Sequence, residues 1–151
     1  MPAKELLIVL EKLRANLEKL LQNSKDKQKA LISMDNALLT ETVNAEEKLI
    51  LGVKQVEQER LQTISTLNRN KKVPESDYKI SQFIKNFRDE IDEKSAKMLK
   101  SYEKNIKLLS EEIMKNNREN LFLISHSRQF IHQLMGIVYQ DKTKSLFDKK
   151  V

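Results

Sequence analysis

Residues 27–60, KQKALISMDNALLTETVNAEEKLILGVKQVEQER, decide how this chain folds. The stretch opens on the end of one apolar-periodic segment, crosses Asp35-Asn36 and enters a second such segment. In the second, Leu38, Leu39, Val43, Leu49, Ile50, Val53 and Val56 recur at near-helical spacing and gather on one face. Glu46, Glu47, Lys48, Glu57, Glu59 and Arg60 fall on the polar face. Asp and Asn accept hydrogen bonds from the first free N–H groups of a helix, so this pair marks a joint. The spacing predicts a break or kink here and a second helix over 35–68. Such a segment is a rod made to lie against other helices, and it carries no catalytic constellation.

Toward the N-terminus the same logic predicts a helix over 4–33. Leu6, Leu10, Leu13, Leu17 and Leu20 alternate steps of four and three, and Leu7 and Leu21 widen the stripe. Ser24 and Lys27 interrupt it before Leu31 and Met34. At this length the helix reaches roughly 45 Å. Toward the C-terminus, residues 68–77 form a polar loop with Pro74, and Ser76-Asp77 caps a third helix over 77–139. Ile80, Phe83, Ile84, Phe87, Ile91, Met98, Leu99, Tyr102, Ile106, Leu109 and Ile113 make its apolar face. Gly52, inside the second helix, marks either a close helix crossing or simple tolerance of a weak helix former. The expected fold is all-α: an elongated antiparallel helical hairpin or three-helix coiled-coil bundle. Residues 1–140 form one domain, and 141–151 form a charged tail that frays or docks through Leu146 and Phe147.

Composition agrees. Charged residues are 33% of the chain and aromatics 5%, with two Gly, two Pro and no Trp, which suits long solvated helices with narrow apolar stripes. No run alternates with period two between turn residues, so strands are not expected. Without cysteine, disulfides and thiolate metal sites are excluded. The longest apolar run near the N-terminus, Leu6–Leu10, is closed by Glu11 and Lys12, too soon for a secretion signal or a span of roughly 20 residues. A cytoplasmic protein is therefore expected. The net charge of +6 is dispersed: +3 over 1–33, −3 over 34–68, +4 over 69–88, −1 over 89–120 and +3 over 121–151. Interleaved Lys and Glu with few aromatics describe solvated helix faces rather than a nucleic-acid groove.

Candidate catalytic and metal groups do not assemble. Asp89, Glu90, Asp92 and Glu93 lie on successive faces of the predicted third helix and lack the glycine-containing turn of a calcium loop. His126 and His132 are six residues apart and do not share a helix face. Nothing resembles a phosphate loop or a nucleophile elbow. No catalytic residue and no cofactor is expected, and the chain is not read as an enzyme.

After Asn116-Asn117-Arg118-Glu119-Asn120 the texture changes. Leu121-Phe122-Leu123-Ile124 is followed by Phe130, Ile131, Leu134, Met135, Ile137, Val138 and Tyr139 over a thin polar face. Two readings stand together: a partner surface, for which Met and aromatics suit adaptable recognition of a helix, or ordinary core folded back on the first two helices.

In three places the chain resembles the flagellar export chaperone family for hook-associated proteins, the FlgN type. A leucine-rich first helix ends in Lys27-Gln28-Lys29-Ala30-Leu31-Ile32 and a small polar joint. Glu46-Glu47-Lys48-Leu49-Ile50-Leu51, then Val56-Glu57-Gln58-Glu59-Arg60, is similar to that family's Glu-Lys-Leu-Leu and Leu-Glu-x-x-Arg run. Asn117-x-x-Asn120-x-x-Leu123-Ile124 resembles its Asn-x-x-Asn-x-x-Leu-Leu segment. Tyr139 falls where many members carry a Tyr shortly before a Gly, although residues 140–144 contain no Gly. The resemblance covers about residues 4–140. It implies a cytoplasmic chaperone that binds the C-terminal helical regions of hook–filament junction proteins, prevents their early assembly and delivers them to gate or ATPase components of the type III export apparatus. On that reading Leu121, Phe122, Ile124, Phe130, Ile131, Leu134 and Met135 anchor the client. Ile137, Val138 and Tyr139 serve a second docking event at the export gate. A homodimer is compatible with the same stripe. The competing readings are a structural coiled coil that self-associates without a client, and a basic nucleic-acid-binding helical bundle.

Overall fold

The computed structural model describes residues 2–73 and 78–150, excepting the side chains of residues 127, 128, 130, 131, 134, 135 and 137–150. Its helices are α1 (Pro2–Ser33), α2 (Asn36–Asn70), α3 (Ile80–Asn86) and α4 (Glu93–Lys150), and no strand occurs among the described residues. The all-α reading stands.

The first helix is the spine. Its stripe of Leu6, Leu10, Leu13, Leu17 and Leu21 is buried, because both α2 and α4 pack along it. The pairs Lys12–Glu59 and Lys27–Glu46 show that α2 returns antiparallel to α1. Residue numbers rise together between α1 and α4: Glu11 meets Tyr102, Ser24 meets Asn116 and Gln28 meets Glu119. The two helices therefore run parallel, with these α4 residues 91 or 92 positions beyond their α1 partners. In this register residues 124 and 125 stand level with Ser33.

The joint between α1 and α2 is closed by local hydrogen bonds. Asp35 N–H donates to Ala30 O at 3.0 Å while Met34 takes a left-handed φ of 55°, the ending usually given to glycine. Asp35 Oδ1 then accepts from Leu38 N–H at 3.0 Å and caps α2. The other end of α2 repeats the device: Lys72 has φ 58° and Val73 N–H donates to Asn68 O at 2.9 Å.

Two apolar clusters hold the helices together. Ala3, Leu6, Leu10, Ile64, Ile80, Phe83, Phe87 and Leu99 form one, at the end where α1 begins. Val9, Leu13, Leu17, Leu21, Val56 and Ile113 continue it along α1. At about 1.5–3 kcal/mol for each fully buried large apolar side chain, these clusters dominate the driving force. Gly52 proves to be tolerance rather than a close crossing, because an added Cβ would meet only Asn16 Nδ2, at an ordinary 3.8 Å.

The expected third helix over 77–139 is divided. Residues 87–92 form a turn between α3 and α4, in which Phe87 N–H donates to Phe83 O at 3.0 Å and Glu90 N–H to Phe87 O at 2.9 Å. Asp92 Oδ1 accepts from Ser95 N–H at 3.3 Å and starts a new helix. Burial is the physical reason: Phe83 and Phe87 stack with centroids 4.6 Å apart and fold α3 over the bundle end. Asp89, Glu90 and Asp92 accordingly stand in a turn and not on helix faces. Beyond residue 139, where a helix end and then a charged tail are expected, α4 continues to Lys150.

Candidate functional site

Between the apolar clusters and the α1–α2 joint, the contact of α1 with α4 becomes polar. Ser24, 1% exposed, donates its hydroxyl to Asn116 Oδ1 and, at 3.2 Å, to Asn117 Oδ1. Asn120, 2% exposed, donates Nδ2 to Ser24 O at 3.0 Å, Ser24 Oγ at 3.2 Å and Asn116 Oδ1 at 3.3 Å. Asn116 Nδ2 donates to Gln28 Oε1 at 3.1 Å, and Gln28 Nε2 donates to Glu119 Oε2 at 3.0 Å. The interruption of the leucine stripe at Ser24 thus has a partner: it receives the Asn116 and Asn120 side chains of α4. Buried amides that find hydrogen bonds in one register fix that register more sharply than apolar contacts, which tolerate sliding.

This layer sets which side chains of the next α4 turn face out. Leu121 and Phe122 are 64% and 68% exposed, while Leu123 and Ile124 are half-buried. The Phe122 ring stacks on His126 with centroids 5.9 Å apart. Gln28, Ile32, Arg118, Glu119, Phe122 and Leu123 line an open cleft between the end of α1 and α4. Of the residues expected to bind a partner, Leu121, Phe122 and Ile124 fall on this end. The side chains of Phe130, Ile131, Leu134, Met135, Ile137, Val138 and Tyr139 lie outside the described residues. Ile32 and Met34, 68% and 62% exposed, share the end of the molecule with Phe122 and are absent from the sequence-based set. Their signal is weak: Ile32 sits off the leucine stripe, and Met34 occupies a helix ending where glycine is usual.

A wider groove runs past Arg14, Glu18, Met98, Tyr102, Leu108 and Glu112. Its charged groups satisfy one another. Arg14 pairs with Glu11 and Glu18, and Tyr102 Oη donates to Glu11 Oε2 at 2.8 Å. The hydrogen bond from Arg14, then that from Tyr102, holds the Glu11 carboxyl down at about 2. The same bond to Glu11, with partial burial, raises the Tyr102 phenol. This network clamps α1 to α4 and presents no free base or nucleophile. Among the described residues, no group of three or more His, Asp or Glu side chains is placed to hold a metal ion. No helix among them is long and apolar enough to cross a membrane.

The architecture is that of a helical bundle whose four most exposed large apolar side chains among the described residues, Ile32, Met34, Leu121 and Phe122, gather at one end. A family model described as FlgN protein matches residues 1–150, and the chain belongs to this family of flagellar export chaperones. Neither a curated protein nor a solved structure matches it.

Proposed function

We propose that this flagellar chaperone binds the C-terminal helical regions of hook–filament junction proteins in the cytoplasm, keeps them from assembling early and delivers them to the type III export apparatus. The observation that supports this most is the exposure of Leu121 and Phe122 directly after the buried Asn120, at the start of the apolar run. An amphipathic client helix laid there covers apolar surface that the bundle leaves open. Leu121, Phe122, Ile124, Phe130, Ile131, Leu134 and Met135 are the proposed anchors. Ile137, Val138 and Tyr139 are assigned to a later contact with the export gate. Handover demands a contact that forms tightly yet dissociates, so its tuning lies in the off-rate.

Calorimetry of the full chain against C-terminal peptides of junction proteins tests the reading. Binding is expected, and Leu121→Asp with Phe122→Asp should abolish it while the circular dichroism stays helical. Absence of binding by the unsubstituted chain, together with concentration-dependent self-association in light scattering, would move the assignment to a self-associating coiled coil.

A further inference from the structure

We infer that the α1–α2 joint is the second wall of the partner site, and that the site selects an amphipathic helix carrying acidic side chains beside its apolar stripe. This deepens the chaperone reading and rests on it for the identity of the client. Ile32, Met34, Leu121 and Phe122 are the four most exposed large apolar side chains among the described residues. They come from two helix regions that the fold brings level, since the α1–α4 offset places 121–122 opposite residues 30–31. Ile32 and Phe122 line one cleft.

Met34 supplies an independent sign. Its φ of 55° is a conformation that costs any side chain with a Cβ and suits glycine, yet the chain places an exposed methionine there. At 62% exposure, that side chain adds little to the packing of the fold. A flexible thioether held outward at a helix end does, however, suit contact with an irregular apolar surface.

Charge selects the occupant. Residues 25–36 and 114–124 carry five Lys and Arg against three acids. Lys27 is paired with Glu46, and each of the three acids accepts a hydrogen bond: Asp26 from Gln22, Asp35 from Leu38 N–H and Glu119 from Gln28. Arg118 lines the cleft and has no ion pair among the described residues. A helix whose apolar stripe covers Ile32 and Phe122 brings its flanking residue to this guanidinium, where a carboxylate is bound with matched geometry and a lysine is repelled.

The test uses the full chain and three probes: two synthetic amphipathic helices with the same apolar stripe, flanked by Glu in one and Lys in the other, and a junction-protein C-terminal peptide. The Glu-flanked helix should bind about tenfold more tightly than the Lys-flanked one, and Arg118→Gln should erase most of that preference. The double variant Ile32→Ser with Met34→Gly should weaken both the Glu-flanked helix and the junction peptide at least about tenfold. Met34→Gly alone should weaken binding while its melting temperature is no lower than that of the unsubstituted chain. A merely structural residue would not separate the two readouts in this way. If the double variant binds like the parent while Phe122→Ser loses binding, the joint is not part of the site, although the chaperone reading survives. Joint-dependent binding of the Glu-flanked helix without any binding of the junction peptide keeps this inference and removes the proposed client. Equal affinity for both synthetic helices overturns the acidic selectivity. Binding of none of the probes overturns the site as a whole.

Discussion

Replacing Asn120 by leucine should stabilise this protein, although it deletes hydrogen bonds. Asn120 Nδ2 is close to three acceptors but has two hydrogens, so about two bonds are lost, at a net value of roughly 1 kcal/mol each. Against this, Asn120 Oδ1 is buried with no hydrogen-bond partner, a burden of about 1–3 kcal/mol that the substitution removes. Leucine has nearly the shape of asparagine, and exchanging buried polar atoms for apolar ones adds about 1 kcal/mol. No group is stranded, because the Ser24 hydroxyl keeps its bond to Asn116 Oδ1. The sum favours leucine by about 1 kcal/mol, or about 2–4 °C in melting temperature for a chain of this size. Asn120→Ala loses the same bonds and gains the same relief at Oδ1 but leaves space unfilled, so it should fall about 2–5 kcal/mol below the leucine variant. Urea unfolding with the slope checked for constancy measures both variants. A loss of more than about 1 kcal/mol in the leucine variant would refute this reasoning, since Oδ1 would then have to be making a bond that the leucine cannot replace.

Phe83→Ala removes a ring that is 1% exposed and stacked on Phe87; it should cost about 3–5 kcal/mol in chemical denaturation. Gly52→Ala should raise stability by about 1 kcal/mol, because the helix gains a better former and the new Cβ meets only Asn16 at ordinary distance. Tyr102→Phe tests the α1–α4 clamp through pH. The Glu11 carboxyl sits below its usual 4.5 in the folded chain, so its contribution is full above about 4.5 and is lost as pH falls toward about 2. Removing the phenol raises that folded value, and the deficit of the variant should be largest above pH 4.5 and shrink toward pH 2. A constant deficit across urea titrations from pH 2 to 5 would show that the phenol does not act through Glu11.

The helical periods were legible because they are long. The stripe from Leu6 to Leu21 spans several turns, and only burial of one helix face satisfies it. The joint at Asp35 was legible because an aspartate after Ser33-Met34 performs a capping role that needs no tertiary contact. The division at 87–92 was not, because the apolar residues Phe83, Phe87 and Ile91 keep helical spacing across it. What breaks the helix is the burial of two rings over the end of α1, a tertiary fact, and Asp92-Ser95 gave only a faint cap signal among neighbouring acids. At the candidate site, Leu121 and Phe122 stand out by composition alone. Ile32 and Met34 do not, since their relevance arises only when α4 runs parallel to α1 and brings residue 122 beside residue 32. The motif Asn117-x-x-Asn120 carried part of the family resemblance, and in the structure Asn120 is buried whereas Asn117 is exposed. Asn116 is the second buried amide of the layer.

The large apolar clusters and the proposed partner site occupy opposite ends of this molecule, and the seam between them changes character at a definite place. Up to Leu21 and Ile113 the contact of α1 with α4 is mainly apolar, with the Tyr102–Glu11 bond beside it; beyond it, Ser24, Gln28, Asn116 and Asn120 hold the helices by hydrogen bonds. Hydrogen bonds exchange with water at little net cost, whereas separating packed leucines exposes apolar surface. The end proposed to receive a partner is therefore expected to loosen without unfolding the rest. Hydrogen exchange should show it: amides of residues 99–113 are expected to open only near the global unfolding free energy, and those of 114–124 at a lower one, with added client raising the second group selectively. Equal protection across residues 99–124 in the free chain would mean that the polar seam is as cooperative as the leucine core, and that the partner meets a rigid surface.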